Sequence, residues 1–356
     1  MITYNKPAQM NAIEAKSAAQ RLAFSPIAFQ AAAALLRLGI LDCVAASGEA
    51  GIEPAAVAES LELPEYGVRV LLDMGLSMAL VWQRDNRYVL DKTGHFLLYD
   101  ALTRVNMDFV NDVCYLPMAR LAESVQAGRP MGLSEFGPWD TIYPALPTLP
   151  EPVRGSWHRY DHFYSTQAFP DAWEIVSATR PGHILDIGGN TGLWAMFCAA
   201  KDPDLRITIV DLPEQLAVAQ AKISEAGLED RISGMPADLL DPDLAFPSGA
   251  DTIWLSQVLD CFPRAEIVKI LARAAEAMDS NASLFILETL WNRQVHEAAA
   301  YAVNATSLYF TCIANGTSRM YRSEDFHGMV EEAGLRLDQE VNGLGIGHTL
   351  LHCRRN

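Results

Sequence analysis

Positive charge is scarce in this chain. Its 356 residues carry 27 lysines and arginines against 44 aspartates and glutamates, a formal net charge of -17. Such a surface repels phosphate backbones and anionic lipid, so neither nucleic acid nor membrane is an expected partner. Long apolar runs are missing too, and none is long enough to span a bilayer. Residues 1–16 lack the basic-then-apolar layout of a secretory leader. The six cysteines (Cys43, Cys114, Cys198, Cys261, Cys312 and Cys353) are scattered, with no Cys-x-x-Cys pair. That argues against structural zinc and fits a reducing, cytoplasmic setting. There is no Gly-x-Ser-x-Gly elbow, Walker loop or His-Glu-x-x-His helix. What is present is an ordinary globular composition, 50% hydrophobic and 20% charged, long enough for two domains.

The chain changes rhythm along its length. Residues 12–40 are Ala-rich, with Phe24, Phe29, Leu35, Leu36 and Leu38 spaced for one buried helix face and Gly39 as a stop. Two short helical patterns, 54–61 and 66–74, are split by Leu63-Pro64. Strand patterns at 80–84 and 87–90 flank the turn signal Asp85-Asn86. Helices followed by a two-stranded wing make a winged-helix module. Such modules often bind DNA, but the expected recognition helix offers only Arg69 among acids and apolars, so packing or dimerisation is the expected role. Residues 1–100 are therefore read as a dimerisation domain. Residues 101–164 form a helical connector or substrate lid, with a helix expected over 105–127 and a Pro- and Gly-rich stretch at 128–152. The Trp and Tyr residues around 139–164 suit either an aromatic substrate pocket or core packing.

Residues 165–356 alternate strands and helices. Strands are expected at 184–187, 207–210, 252–255 and 283–288, and helices at 193–200, 213–226, 264–278 and 323–333. This is the pattern of an α/β, doubly wound parallel sheet. Two further strands, 336–341 and 347–353, are expected to turn at Asn342-Gly343.

Within that half, residues 183–192 are the most informative. An apolar run ends in an acid, then comes a glycine-rich turn and a helix start, and the next apolar run ends at Asp211. This is a nucleotide-binding layout. Glycines let the backbone approach a ligand, and the distal carboxylate can accept hydrogen bonds from ribose. A dinucleotide fingerprint needs Gly where Asp186 stands. The pattern here is Asp-x-Gly-Gly-x-x-Gly, with Asp186, Gly188, Gly189 and Gly192; Asn190 takes a position where a left-handed backbone is expected, which Asn tolerates. Asp211, Ser256, Gln257 and Glu288 also lie at or just past strand ends, and Asp238 just past another, where open parallel sheets bind ligands.

This order resembles the two-domain small-molecule O-methyltransferases that use S-adenosylmethionine, which have a class I methyltransferase Rossmann-like fold behind an N-terminal winged-helix dimerisation domain. The resemblance covers about residues 20–350. It rests on Leu38-Gly39-Ile40-Leu41-Asp42, the glycine turn, Val210-Asp211-Leu212-Pro213, Ala237-Asp238-Leu239, the stretch from Leu255 to Phe262, Ile286-Leu287-Glu288 and residues 323–334. It implies a homodimer and a small aromatic or polyketide-like acceptor. It also implies that Gly188, Gly189 and Gly192 approach the methionine part of S-adenosylmethionine, that Asp211 beside Leu212 holds the ribose, and that Asp238 and Leu239 hold the adenine. Phe262 would pack nearby, as would Tyr164, which stands in Phe163-Tyr164-Ser165-Thr166-Gln167 where the family has Phe-Asn-x-x-Met.

The reacting centre departs from the family. Asp260 replaces the usual general-base His, Ser256 replaces a frequent Lys, and Ser318 takes the place of a base-orienting Glu. Asp260 reads either as a general base or as a cap for the following helix. His158 and His162, four apart on an expected helix, could share a metal, serve as base or simply pack; no further ligand is identifiable, so no metal is expected. Glu288 could orient a substrate or be a solvated strand end. The missing His leaves open a cofactor-binding enzyme that does not methylate, and the wing leaves open a ligand-sensing regulator.

Overall fold

A strand sealed on both faces needs an unbroken apolar run, and Leu284, Phe285, Ile286 and Leu287 supply one within Ser283–Glu288, all six of whose residues are buried. It is a central strand of a seven-stranded sheet. The computed structural model describes residues 4–356 and divides into two units, Asn5–Asp112 and Val113–Asn356 with Tyr4.

The smaller unit holds α1 (Ala12–Ala23), α2 (Ser25–Arg37), α3 (Ile40–Ala46), α4 (Pro54–Ser60), α5 (Glu65–Ser77), the hairpin β1 (Val81–Arg84) and β2 (Arg87–Leu90), α6 (Lys92–Tyr99) and α7 (Ala101–Phe109). Leu35, Ile40, Leu41, Val44, Val57, Leu72 and Tyr88 make its core. Asp85 and Asn86 both have positive φ, which gives the hairpin a tight turn with the twist its strands require. The helix expected over 12–40 is broken at Phe24, because Pro26 in the first turn of α2 cannot donate to a continuing helix. Phe24 and Leu38 are exposed rather than part of a buried face. Gly39 does end α2, with φ 70. Arg69 on α5 is paired with Glu65, 2.6 Å away. No single helix is long and apolar enough to cross a membrane; the bent pair α2–α3 passes only when both are taken together, and its Leu35, Ile40, Leu41 and Val44 sit in the core.

The larger unit begins with broken helices. The stretch expected as one helix over 105–127 contains a π turn at Val110–Cys114, a 3-10 turn at Pro117–Arg120 and then α8 (Leu121–Ala127). Pro117 accounts for the break. Residues 128–152 are irregular with two 3-10 turns, and α9 (Val153–Ser177) then runs continuously past 165. The sheet follows: β3 (His183–Ile187), α10 (Leu193–Lys201), β4 (Arg206–Asp211), α11 (Pro213–Glu225), β5 (Ile232–Pro236), β6 (Thr252–Ser256), α12 (Arg264–Ala277), β7 (Ser283–Glu288), α13 (Glu297–Tyr309), α14 (Ser323–Glu332), β8 (Leu335–Leu344) and β9 (His348–Arg355).

Strand order is β5-β4-β3-β6-β7-β9-β8, with the first five parallel and the last two antiparallel. Alternate residues face opposite layers. Leu185, Ile253, Leu255, Leu284 and Ile286 pack with Ile267, Leu271 and Phe326 of α12 and α14. Ile184, Ile209, Trp254 and Phe285 pack with α9, α10 and α11, where the Trp194 and Trp254 rings stack 4.1 Å apart. The order reverses between β3 and β6, so a crevice is expected there, at the carboxyl ends of the strands. Asn342-Gly343 is not the turn between the last strands. Gly343 has positive φ and is absorbed as a bulge within β8, and the chain reverses at residues 345–347 instead. β5 is the strand expected, without bounds, just before Asp238, and Gly234 and Pro236 weaken its pattern; α13 was not expected as an element.

Candidate cofactor and acceptor site

The glycine turn stands at that reversal. Gly188, Asn190 and Gly192 all have positive φ, at 75°, 50° and 76°. Gly188 is pressed against Val258 after β6: a Cβ there would lie 2.4 Å from Val258 Cγ2. A Cβ on Gly189 would lie 2.6 Å from Asp186 Oδ2. Both positions therefore exclude any side chain, and the turn is bare backbone packed against Val258 and Asp186. Asp211 faces it from the end of β4. Its Oδ2 accepts from Asn190 N–H at 2.7 Å and its Oδ1 from Leu212 N–H at 2.7 Å. Burial raises its pKa, and those two N–H donors hold it down. Asp186 is 1% exposed, its Oδ2 has no hydrogen-bond partner, and burial beside Asp211 pushes it up to about 8. A buried acid without a donor fits a cationic or donor-bearing ligand. The glycine cradle, Asp186 and Asp211 thus fit an adenosyl sulfonium cofactor.

Other expected residues fall at varied distances from this turn. Leu212 is half-buried between Asp211 and α11. Asp238 lies just past β5, exposed, and accepts from Leu240 N–H; Leu239 beside it is buried. Ser256 ends β6, half-buried. Gln257 follows it with φ 49, and its Oε1 accepts from His348 Nε2, 2.6 Å away. His348 is buried, and desolvation lowers its pKa to about 4, so the ring is neutral and the nitrogen can donate. Tyr164 on α9 packs its ring 4.9 Å from that of Tyr160, and the Phe262 carbonyl accepts from Tyr321 OH.

At the other side of the turn stands Asp260, buried in the 3-10 turn Leu259–Cys261. It does not cap the next helix. The residue before α12 is Pro263, in extended conformation, and no side chain caps that end. Burial raises the pKa of Asp260; Cys261 Sγ–H, 3.5 Å from Oδ1, lowers it, and the charge of Asp161 raises it again. Glu288 is no solvated strand end. It is 1% exposed, and its Oε1 accepts from Leu259 N–H at 3.0 Å, which ties the Asp260 turn to the end of β7. Burial and the nearby Asp260 raise its pKa.

His158 and His162 do share a face of α9, with ring centroids 5.6 Å apart. His162 Nε2 lies 3.4 Å from Thr191 Oγ1, and burial, Lys222 and His158 depress its pKa to about 4. Among the described residues no group of three or more His, Cys, Asp and Glu side chains could hold a metal. The residue of α9 turned toward Asp260 is Asp161, whose Oδ2 accepts from Asn190 Nδ2 at 3.2 Å. Burial pushes it up to about 6. Sequence reasoning missed it, because one acid among aromatics carries no periodic signal. It also missed Asn315, after the π turn Phe310–Ala314, whose Nδ2 reaches Cys261 O, Tyr143 OH and Ser318 Oγ. Of the aromatics noted between 139 and 164, Trp157 donates to Tyr309 OH at 2.7 Å and Tyr160 OH lies 3.0 Å from Thr306 Oγ1.

Comparison with known proteins bears on the domains and the class of enzyme. The O-methyltransferase domain family matches residues 171–336, and a Dimerisation2-like domain matches residues 16–88. The chain is 23% identical over 315 residues to an L-tyrosine C(3)-methyltransferase of Streptomyces lavendulae, covering 87% of this chain and 84% of that protein. It is 25% identical over 314 residues to a 3-hydroxy-5-methyl-1-naphthoate 3-O-methyltransferase of Streptomyces sahachiroi, covering 86% and 85%. The crystal structure of the S-adenosylmethionine-dependent methyltransferase SibL in its apo form superposes with a TM-score of 0.74 at 24% identity, covering 95% of this chain and 99% of SibL. A methyltransferase sheet behind a dimerisation module is thus the class defined here. The chain carries an O-methyltransferase domain and a Dimerisation2-like domain, and it is an S-adenosylmethionine-dependent methyltransferase.

Proposed function

We propose that this enzyme transfers the methyl of S-adenosylmethionine to a hydroxyl of a small aromatic or polyketide-like metabolite, with Asp260 as the proton acceptor. One observation carries the reading: a bare glycine turn and two converging acids, Asp186 and Asp211, stand at the sheet's reversal, one loop away from a buried Asp260.

In this reading Gly188, Gly189, Asn190 and Gly192 hold the methionine part of the cofactor, Asp211 and Leu212 the ribose, and Asp238 and Leu239 the adenine. Ser256, Gln257, Phe262 and Tyr164 pack around it. When bound, the cofactor supplies a methyl group activated by a sulfonium. The chain's own work is alignment, exclusion of water and removal of one proton. Trp157, Tyr160 and Tyr309 offer flat apolar walls for an aromatic acceptor. The Asp260 carboxylate takes the acceptor's hydroxyl proton onto its side-chain oxygen. Burial raises its proton affinity toward what such a base needs, and general-base assistance of this kind contributes ~10²–10⁴-fold. Glu288, through Leu259 N–H, holds the turn that aims Asp260. The histidines, beside Thr191 and Lys222, shape the cofactor end of α9 and remain neutral.

The working unit in this proposal is a cytoplasmic homodimer. Support comes from the Dimerisation2-like match and from Ile13, Leu22 and Ile27 of α1 and α2, which are 82%, 71% and 63% exposed in the single chain. Residues 101–164 supply the acceptor-side wall from Tyr143 onward. The test is calorimetric titration with S-adenosylmethionine and its demethylated product, followed by incubation of the labelled cofactor with phenolic acceptors. Absence of binding at millimolar ligand, or labelled cofactor that never yields a methylated ether, overturns the reading.

A further inference from the structure

We propose that the acceptor carries a protonated amine, which docks against Asp161 and leaves Asp260 free to meet the acceptor's hydroxyl. The inference rests on the methyl-transfer reading and names the acceptor's charge class.

Three carboxyl groups gather on the acceptor side of the glycine turn: Asp161 from α9, Asp260 from the turn after β6, and Glu288 from the end of β7. Among the described residues none of the three has an ion-pair partner. Of the cations on and beside α9, Lys222 and Arg154 act on His158, and the exposed Arg159 donates to Ser156 Oγ. The donors that reach the three acids are Asn190 Nδ2 on Asp161, the Cys261 thiol on Asp260, and the backbone N–H groups of Leu259, Asp260 and Val258 on Glu288. A separate observation points to a missing ligand group. Glu288 is 1% exposed, yet its Oε2 has no hydrogen-bond partner. Buried acceptors in such excess are completed by a donor-rich group, and an ammonium brings three donors and the compensating charge together. The aromatic neighbours Trp157, Tyr160 and Tyr309 suit the same group, since a cation over a ring face is favoured. A carboxylate-bearing acceptor would meet like charge from these three acids. The cofactor's own positive charge is met by Asp186 and Asp211, on the other side of the turn.

The experiment compares tyramine with 4-hydroxyphenylacetate, which share a phenol and a short side chain but carry opposite charges. Each is titrated by calorimetry into the full-length protein, with and without S-adenosylhomocysteine. Tyramine is expected to bind at least about tenfold more tightly, and Asp161→Asn to remove most of that preference. Equal or reversed affinities, or no tyramine binding at tens of millimolar, overturn the proposal. So does an Asp161→Asn variant that weakens S-adenosylhomocysteine and keeps the amine preference, because Asp161 then serves the cofactor. Should that variant fail to fold by circular dichroism, Asp161→Ser is read in the same way. Failure of the cofactor to bind while the amine preference persists counts against the methyl-transfer reading alone. Methylation of both acceptors with equal efficiency counts against this proposal alone.

Discussion

Two polar clusters in the larger unit treat their acids in opposite ways. At the carboxyl edge of the chain, Glu340 on β8 is met by Arg293 at 2.6 Å, by Ser323 Oγ–H at 2.8 Å and by His327 at 2.6 Å. Burial pushes its pKa up, but hydrogen bonds from Arg293, Asn342, Ser323 and His327 outweigh that and hold it down at about 2. At the glycine turn, Asp186 is buried without a donor on Oδ2 and moves up to about 8. Both are carboxyl groups largely withdrawn from water, so the difference lies in their partners. A network whose acids are all met by donors holds the fold together. A network left short of donors and cations is waiting for a ligand, and its cost to the free protein is recovered on binding.

The largest effect that would sharpen this contrast is on rate. Asp260→Asn should lower the methylation rate ~10²–10⁴-fold while leaving cofactor affinity nearly unchanged, measured with labelled cofactor and by calorimetry. A rate within a few-fold of the parent enzyme removes Asp260 from the chemistry. Next, Glu340→Gln should cost about 3 kcal/mol in urea unfolding, because it strands Arg293, which is 12% exposed, without its closest partner. Loss of activity without loss of stability would mean the two clusters do not divide as described. Third, Gly188→Ala should weaken the cofactor about tenfold, since a side chain is strained at φ 75 and meets Val258. Unchanged affinity would show that the turn is not the cradle.

The smallest effect is a pH trend of opposite sign in the two clusters. Asp186 has its folded pKa raised from 3.8 to about 8, so the folded state holds its proton more tightly than the unfolded chain. Its contribution is fully present below the unfolded pKa and is lost as pH rises through that interval. Glu340 has its pKa depressed from 4.5 to about 2, so its contribution is present above 4.5 and is lost as pH falls toward 2. The free protein's melting temperature should therefore drift down between about pH 4 and pH 8, and Asp186→Asn should flatten that drift. A parent and variant with the same slope would rule out Asp186 as its source.

Much of the molecule was legible along the chain. The central strands were readable because a doubly covered sheet needs short continuous apolar runs, and these alternate with helical stretches in the second half of the chain. The glycine turn was readable because few residues tolerate its backbone, and Asn190 at φ 50 follows the same rule. Breaks were less legible. Phe24 and Pro117 interrupt stretches whose apolar spacing alone suggests continuous helices, and Gly343 looks locally identical in a turn and in a bulge. Cap or buried acid was undecidable by sequence for Asp260, since both share the same neighbours; the extended Pro263 before α12 excludes the cap.

The sequence by itself determined the sheet, the helices that cover it and the turn that opens toward a nucleoside, because each depends on spacing within a short window. Only the tertiary structure decided which acids share one enclosure. Asp161, Asp260 and Glu288 come from a helix, a loop and a strand end far apart in the chain, and the proton affinity of each depends on burial and on the others' proximity. Those are properties of packing, which no local pattern of residues encodes.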